Sequence, residues 1–418
     1  MTQLVGRILR QPYAAKTRVE LLDECYVICH HAQTHEVVGA IKTSLERDGM
    51  ADLAVQIREH EGDDKTPTST RRVRRRERFA KLEIFLPVVN WVNSGQIRPL
   101  DYDQDILFGL DWSSIDVATL ADKIPTDDSH AVQTQMTRIS LSDDEDGEFF
   151  QVAPTEILVE QNGFDPVYAT RIVADLVSNA WIARDIVGKL IERLRNRGFE
   201  DAQLGPRSGF ILEELRKFLN TERDRLAEEL FLANVSARKI QFRLRTDRNN
   251  WQMPHELNTD LLENAAQLPK PDGTLASKSL FSPVYRVDYN KDEAEFACYL
   301  DEAKALKWWH RNVAKAGHYF VQGWKKSKVY PDFIFALVTD HKKPKLVVME
   351  MKGDQLRGNL DTEYKRKLLK IVSDNYMFEH VVKAGELELV IENDTSVSCD
   401  LVLLGEWKTL VPNNYFIE

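Results

Sequence analysis

The densest chemistry in the chain lies in YPDFIFALVTDHKKPKLVVMEMKG, residues 330–353. Asp332 opens one apolar run, 333–338, and Glu350 and Lys352 close a second, 345–352, with a polar turn at Asp340–Pro344 between them. Two such runs about a short turn predict a β-hairpin. Side chains alternate along a strand, so Glu350 and Lys352 share one face and Met351 takes the other. Two carboxylates offer the hard oxygen ligands that hold Mg²⁺ together with a substrate phosphate. Bound Mg²⁺ polarises a phosphodiester and makes water a better nucleophile. A neighbouring lysine orients that water and offsets the charge that develops at phosphorus. The chemistry these residues suit is phosphodiester hydrolysis. E-x-K alone is common on solvent-facing strands. Here Leu346, Val347, Val348 and Met349 run unbroken into the charges, the pattern of a strand buried on both faces, where a charge is unfavourable unless it is paired or used.

The elements that must position these residues can be read outward from the hairpin. Upstream, KDEAEFACYLDEAKALK predicts a helix over 291–307, with Phe296, Tyr299, Leu300 and Ala303 on its apolar face. Trp308 and Trp309 follow as core residues on one side, with base stacking as the alternative use of an aromatic near the site. Lys325, Lys326 and Lys328 stand beside Trp324, just ahead of Asp332, where they suit phosphate contacts. Downstream, a helix carries Lys365, which either reaches the site or is solvated.

Taken in order, Pro331-Asp332 and Glu350-Met351-Lys352 resemble the PD-(D/E)XK nuclease superfamily. WWHRN (308–312), YPDF (330–333), VVMEMKG (347–353) and DTEYKRKLL (361–369) are similar, more closely, to the C-terminal endonuclease domain of type III restriction subunits and related helicase–nucleases. The resemblance covers about 281–418, a third of the chain. It implies a restriction-endonuclease-like mixed sheet flanked by helices and a Mg²⁺-dependent DNA endonuclease of bacterial phage defence, in which Mn²⁺ can substitute. Asp332 and Glu350 are then metal ligands, and Lys352 is the water-orienting, charge-stabilising base. Products carrying 5′-phosphates are implied as well, and so is a modification (methyltransferase) subunit that chooses the DNA sequence. An acidic residue on the preceding helix is implied as a third metal ligand. Glu295 is the expected one and Glu302 the reserve, because a spacing of seven puts both on one face; an exposed helix charge is the other reading of either. The rival from a different class is a non-catalytic nucleic-acid-binding or coupling module, although a scaffold needs none of Asp332, Glu350 and Lys352.

Near the start, QLVGRILR (3–10) is similar to motif VI of superfamily-two helicases, Q-x-x-G-R-x-x-R. That resemblance implies that Arg7 and Arg10 reach ATP phosphates across the cleft between two RecA-like lobes. An amphipathic helix with two surface arginines is the plain alternative. The strand-like VELLDECYVIC (19–29) and helix-like HEVVGAIKTSLERDG (35–49) suit the tail of such a lobe. No G-x-x-x-x-G-K-[ST] occurs in the sequence. ATP is therefore expected only in the context of a full-length helicase, and the chain is expected to be a C-terminal portion of one or a natural truncated product. Asp292-Glu293-Ala294-Glu295 imitates an ATPase box but follows no apolar strand. Cys25, Cys29, His30, His31 and His35 lack the usual zinc spacing.

The expected fold class is α/β. It comprises the tail of a RecA-like helicase lobe (1–60), a connecting region with strands (61–153), a helical module (154–245), a linker rich in proline and polar residues (246–280) and the nuclease domain (281–418). An acidic loop at 142–148 marks one boundary. Formal net charge is −10, from 56 Lys and Arg against 66 Asp and Glu. A uniformly basic coat is thus excluded, and DNA contacts must come from local patches. The arginine run at 71–78, with Arg74 and Arg75, is one such patch. No apolar stretch reaches the roughly 20 residues of a membrane helix. Four cysteines and no recognisable signal peptide predict a cytoplasmic location.

Overall fold

The computed structural model describes residues 68–127, 139–140, 151–152, 163–262, 265–315, 317–338, 344–384, 387–391 and 396–416. The expectations for Arg7, Arg10, the cysteine–histidine group and the acidic loop at 142–148 fall outside these residues. The chain divides into two compact units, one of Asp103–Leu232 and one built from the described residues up to Tyr102 and from Ala233 onward. The architecture is mixed α/β.

Helices dominate the first unit: α1 (Ala118–Lys123), α2 (Pro166–Ile172), α3 (Ala180–Asn196), α4 (Asp201–Leu204) and most of α5 (Ser208–Ser236). Within the expected helical module, residues 166–197 form two helices. Asp165 caps α2, its Oδ1 accepting from the Val167 and Tyr168 N–H groups, with Pro166 at the first position. Asn179 caps α3 in the same way, through Trp181 and Ile182. Short polar side chains at these positions satisfy the free N–H groups of a helix start. The face of α3 formed by Ala183, Ile186, Val187, Leu190 and Leu194 is buried, as its three- and four-residue spacing requires.

The second unit carries three sheets. Its strands are β1 (Thr68–Arg75), β2 (Phe85–Asn93), β3 (Gln96–Pro99), β4 (Ile240–Arg245), β5 (Asn250–Gln252), β6 (Glu256–Leu262), β7 (Phe281–Ser282), β8 (Leu306–Arg311), β9 (Phe333–Val338), β10 (Pro344–Lys352), β11 (Tyr376–Ala384), β12 (Leu387–Ile391) and β13 (Ser396–Leu403). Its helices are α6 (Lys291–Glu302), α7 (Leu360–Asn375) and α8 (Trp407–Tyr415). One sheet runs β6-β1-β7 and another β12-β11-β4-β2-β3, with β5 also on β2. The stretch 246–280 is thus more than a linker: β6 pairs antiparallel with β1 along its length, from Thr68↔Leu262 to Arg74↔Glu256.

The third sheet, β8-β9-β10-β13, positions the candidate site. The hairpin expected at 333–352 forms, with Phe333 opposite Met349 and Val338 opposite Pro344. The strand β13 then adds parallel to β10, with Glu350 opposite Leu401 and Lys352 opposite Leu403. A parallel neighbour needs a crossover, and α7 lies within it. Ser373 ties that helix to β13, accepting from the Cys399 N–H at 2.6 Å and donating to its carbonyl at 2.8 Å. One sheet face packs on α6 and α8 through Phe296, Leu300, Trp309, Phe333, Phe335, Met349, Met351 and Trp407. Trp308 and Trp309 are both buried, and the Trp309 indole N–H donates to Asp301 at 2.9 Å. Neither ring is placed to stack on a base.

Candidate active site

Three ionisable side chains converge where β10 ends. Strand alternation sends Met351 into the α6-facing core and turns Glu350 the other way, leaving its side chain only 2% exposed. Lys352 Nζ lies 3.1 Å from Glu350 Oε1. Lys365 Nζ, from α7, lies 2.9 Å from the same oxygen and 3.6 Å from Asp361 Oδ2. The other oxygen, Glu350 Oε2, is buried without a hydrogen-bond partner. Burial opposes charge on Lys365, yet the Glu350 and Asp361 carboxylates outweigh it and hold the ammonium pKa above its ordinary value.

Asp332, half-buried at the mouth of β9, accepts the Met351 N–H on Oδ2 at 2.7 Å. Its own carbonyl accepts the Asn312 N–H at 2.8 Å. Burial, followed by the negative charge of Glu350, pushes its carboxyl up to about 7; the Met351 N–H and the Lys352 ammonium pull the other way, and Glu293 adds a further upward push.

Glu293, which sequence reasoning passed over, is the helix glutamate that bears on Asp332. It sits three and seven residues from Phe296 and Leu300, on the buried face of α6. Both its oxygens lie 3.1 Å from Arg311 Nη2. The signal was present as a capping box: Asn290 Oδ1 accepts the Glu293 N–H, and Glu293 Oε2 accepts the Asn290 N–H. Glu295 instead lies on the flank of α6, half exposed and 2.6 Å from Lys408. Glu302 is exposed. The helix ends at Glu302 rather than 307, because β8 begins at Leu306.

Of the lysines ahead of Asp332, one packs on α7. Lys325 Nζ stands 5.1 Å from the Tyr364 ring centre, Lys328 Nζ stands 4.5 Å from that of Phe320, and Lys326 is exposed. Gly323 lets this loop approach α7: a Cβ there would meet Tyr364 Oη at 2.6 Å and Leu368 Cδ2 at 2.7 Å.

The arginine run divides by role. Arg74 is exposed and ion-paired with Glu256 at 2.9 Å. Arg75 is buried and donates to the carbonyls of Pro254, Leu82 and Met253. Arg76 likewise donates to the Ser279 and Ala276 carbonyls, at 3.0 and 2.6 Å. Arg75 therefore holds loops together and does not present its charge to DNA.

Among the described residues, no three His, Cys, Asp or Glu side chains form a ready-made metal cage. The donor set still fits Mg²⁺, which takes one or two carboxylates and completes its octahedron with water and substrate phosphate. The orphaned Glu350 Oε2 and the raised Asp332 carboxyl are the groups such an ion would satisfy. Compared with family models, curated proteins and solved structures, the chain matches none. No helix among the described residues is long and apolar enough to cross a membrane.

Proposed function

We propose that the chain is a metal-dependent endodeoxyribonuclease of the PD-(D/E)XK kind, similar to the nuclease part of type III restriction subunits. The observation that carries this reading is Glu350: a carboxylate 2% exposed, with two lysines on one oxygen and nothing on the other, facing Asp332. Mg²⁺, held by Asp332 and Glu350, would polarise the scissile phosphate and lower the pKa of a bound water. Lys352, 3.1 Å from Glu350, would orient the attacking water and offset charge as it develops. Lys365, 2.9 Å from Glu350, would supply a second ammonium from α7 to offset charge at the phosphate. Glu293, bonded to Arg311, adds negative potential at Asp332. The exposed Lys326, with Lys325 and Lys328, suits backbone contacts. A helicase motor, a modification subunit, ATP and a cytoplasmic restriction setting belong to this proposal through the resemblance alone.

One observation favours a second reading, that of a non-catalytic nucleic-acid module. Lys352 and Lys365 already neutralise Glu350 without a metal. Cleavage of supercoiled plasmid with Mg²⁺ or Mn²⁺ separates the two. Nicking by the wild-type chain that disappears in Glu350→Ala and Lys352→Ala supports the nuclease. Inertness that persists after a helicase portion is supplied supports the module.

A further inference from the structure

Away from Glu350, a cavity of about 100 Å³ opens between the β6-β1-β7 sheet and the end of β8, lined by Val73, Phe281, Tyr289, His310, Arg311 and His318 among others. His310 and His318 are each 7% exposed and lie nearly parallel, with ring centres 6.3 Å apart. Both present a buried nitrogen that has no partner, Nε2 of His310 and Nδ1 of His318. Arg311 adds a third, its Nε, while its Nη2 is held by Glu293. Orphaned buried nitrogens are rare in proteins, and three around one cavity call for an acceptor.

We propose that this pocket binds a phosphate-class oxyanion, with His310, His318 and Arg311 as its donors. The cavity has room for one tetrahedral oxyanion. The local field has the matching sign. After burial, the neighbours that disfavour charge on His310 are His318, Arg311 and Arg75, and those that disfavour it on His318 are Lys315 and Arg311; of these, Arg311, Arg75 and Lys315 are cationic. Together with burial they hold the His318 imidazole down to about 4 and that of His310 well below its ordinary value. Two carboxylates lie close by: Asp288 lines the cavity beside Tyr289, and Glu293 holds Arg311 Nη2 at 3.1 Å. In the tautomers that carry hydrogen on His310 Nε2 and His318 Nδ1, an anion would supply the acceptor that all three nitrogens lack. The oxyanion has two chemical sources: free phosphate, or a phosphodiester of a nucleic-acid backbone. This proposal stands independently of the catalytic reading, since no residue that would hold the metal lines the cavity.

The test is a titration of the whole chain, followed through the ¹⁵N resonances of its histidine rings at constant ionic strength. One arm uses inorganic phosphate and the other a thymidine dinucleotide with a single phosphodiester. Buried neutral imidazoles identify themselves as the resonances that do not titrate between about pH 6 and 8. Movement of two such resonances with phosphate points to a free oxyanion, and movement with the dinucleotide alone to a backbone contact; either supports the pocket. His310→Asn and His318→Asn should each weaken binding about tenfold, the loss of one charge-assisted hydrogen bond. If neither probe moves the pair in the wild-type chain, the cavity holds only water and the proposal fails. It fails equally if binding is unchanged in both variants.

Discussion

Lys365 Nζ lies 2.9 Å from Glu350 Oε1, so a helix fifteen residues downstream supplies a second ammonium to a carboxylate that Lys352 already contacts. The competing ammonium repels any divalent cation at that carboxylate. Lys365→Met should therefore strengthen Mn²⁺ binding roughly three- to tenfold, the scale of one nearby charge in a partly screened site. The same change should slow cleavage about tenfold or more, because a charge stabiliser is lost. Calorimetry and plasmid nicking on one preparation check the opposite signs; a parallel fall in both would make Lys365 a support for the metal site instead.

Asp332 gives a prediction about stability. Its folded pKa of about 7 lies above the ordinary 3.8, so folding favours the protonated form. The stability it contributes is full below about 4 and is lost as pH rises through 7. Asn mimics the protonated carboxyl and can still accept the Met351 N–H. In metal-free urea unfolding, Asp332→Asn should be more stable than wild type by roughly 1–3 kcal/mol at pH 8. The difference should close toward pH 4, and a constant offset across that range would contradict the assignment.

The two glutamates of α6 separate by position. Glu293 acts on Asp332 and bonds Arg311, whereas Glu295 is half exposed against Lys408. Glu293→Gln should weaken Mn²⁺ binding by about tenfold, in the range of residues that support metal ligands. Glu295→Gln should leave it within about twofold, since exposed pairs contribute little. The reverse ranking would restore Glu295 as the third carboxylate.

The parts of this account that the sequence disclosed are those fixed by local period. Alternation in VVMEMK placed Glu350 opposite Met351, and the break at Asp340–Pro344 marked the hairpin. Long-range pairing left no such mark. Polar, proline-containing text at 246–280 reads as a linker, yet β6 finds its partner in β1 some 190 residues away. Arg75 sits in a basic run that reads as a solvated patch, and only the carbonyls gathered around it give it a buried, structural role. On α6, counting from Glu295 selected the flank, while the spacing from Glu293 to Phe296 and Leu300 and the Asn290 cap mark the buried face.

The central claim is that Asp332 and Glu350 share a divalent cation, and metal binding tests it without requiring a motor or a DNA sequence. Mn²⁺ titration of the purified chain, followed by electron paramagnetic resonance, should show one bound ion. Glu350→Gln should abolish that binding, and Asp332→Asn should weaken it by about tenfold or more. A wild-type chain that binds no Mn²⁺, or binds it equally well without the Glu350 carboxylate, would contradict the nuclease site and leave the lysine-neutralised cluster as a structural one.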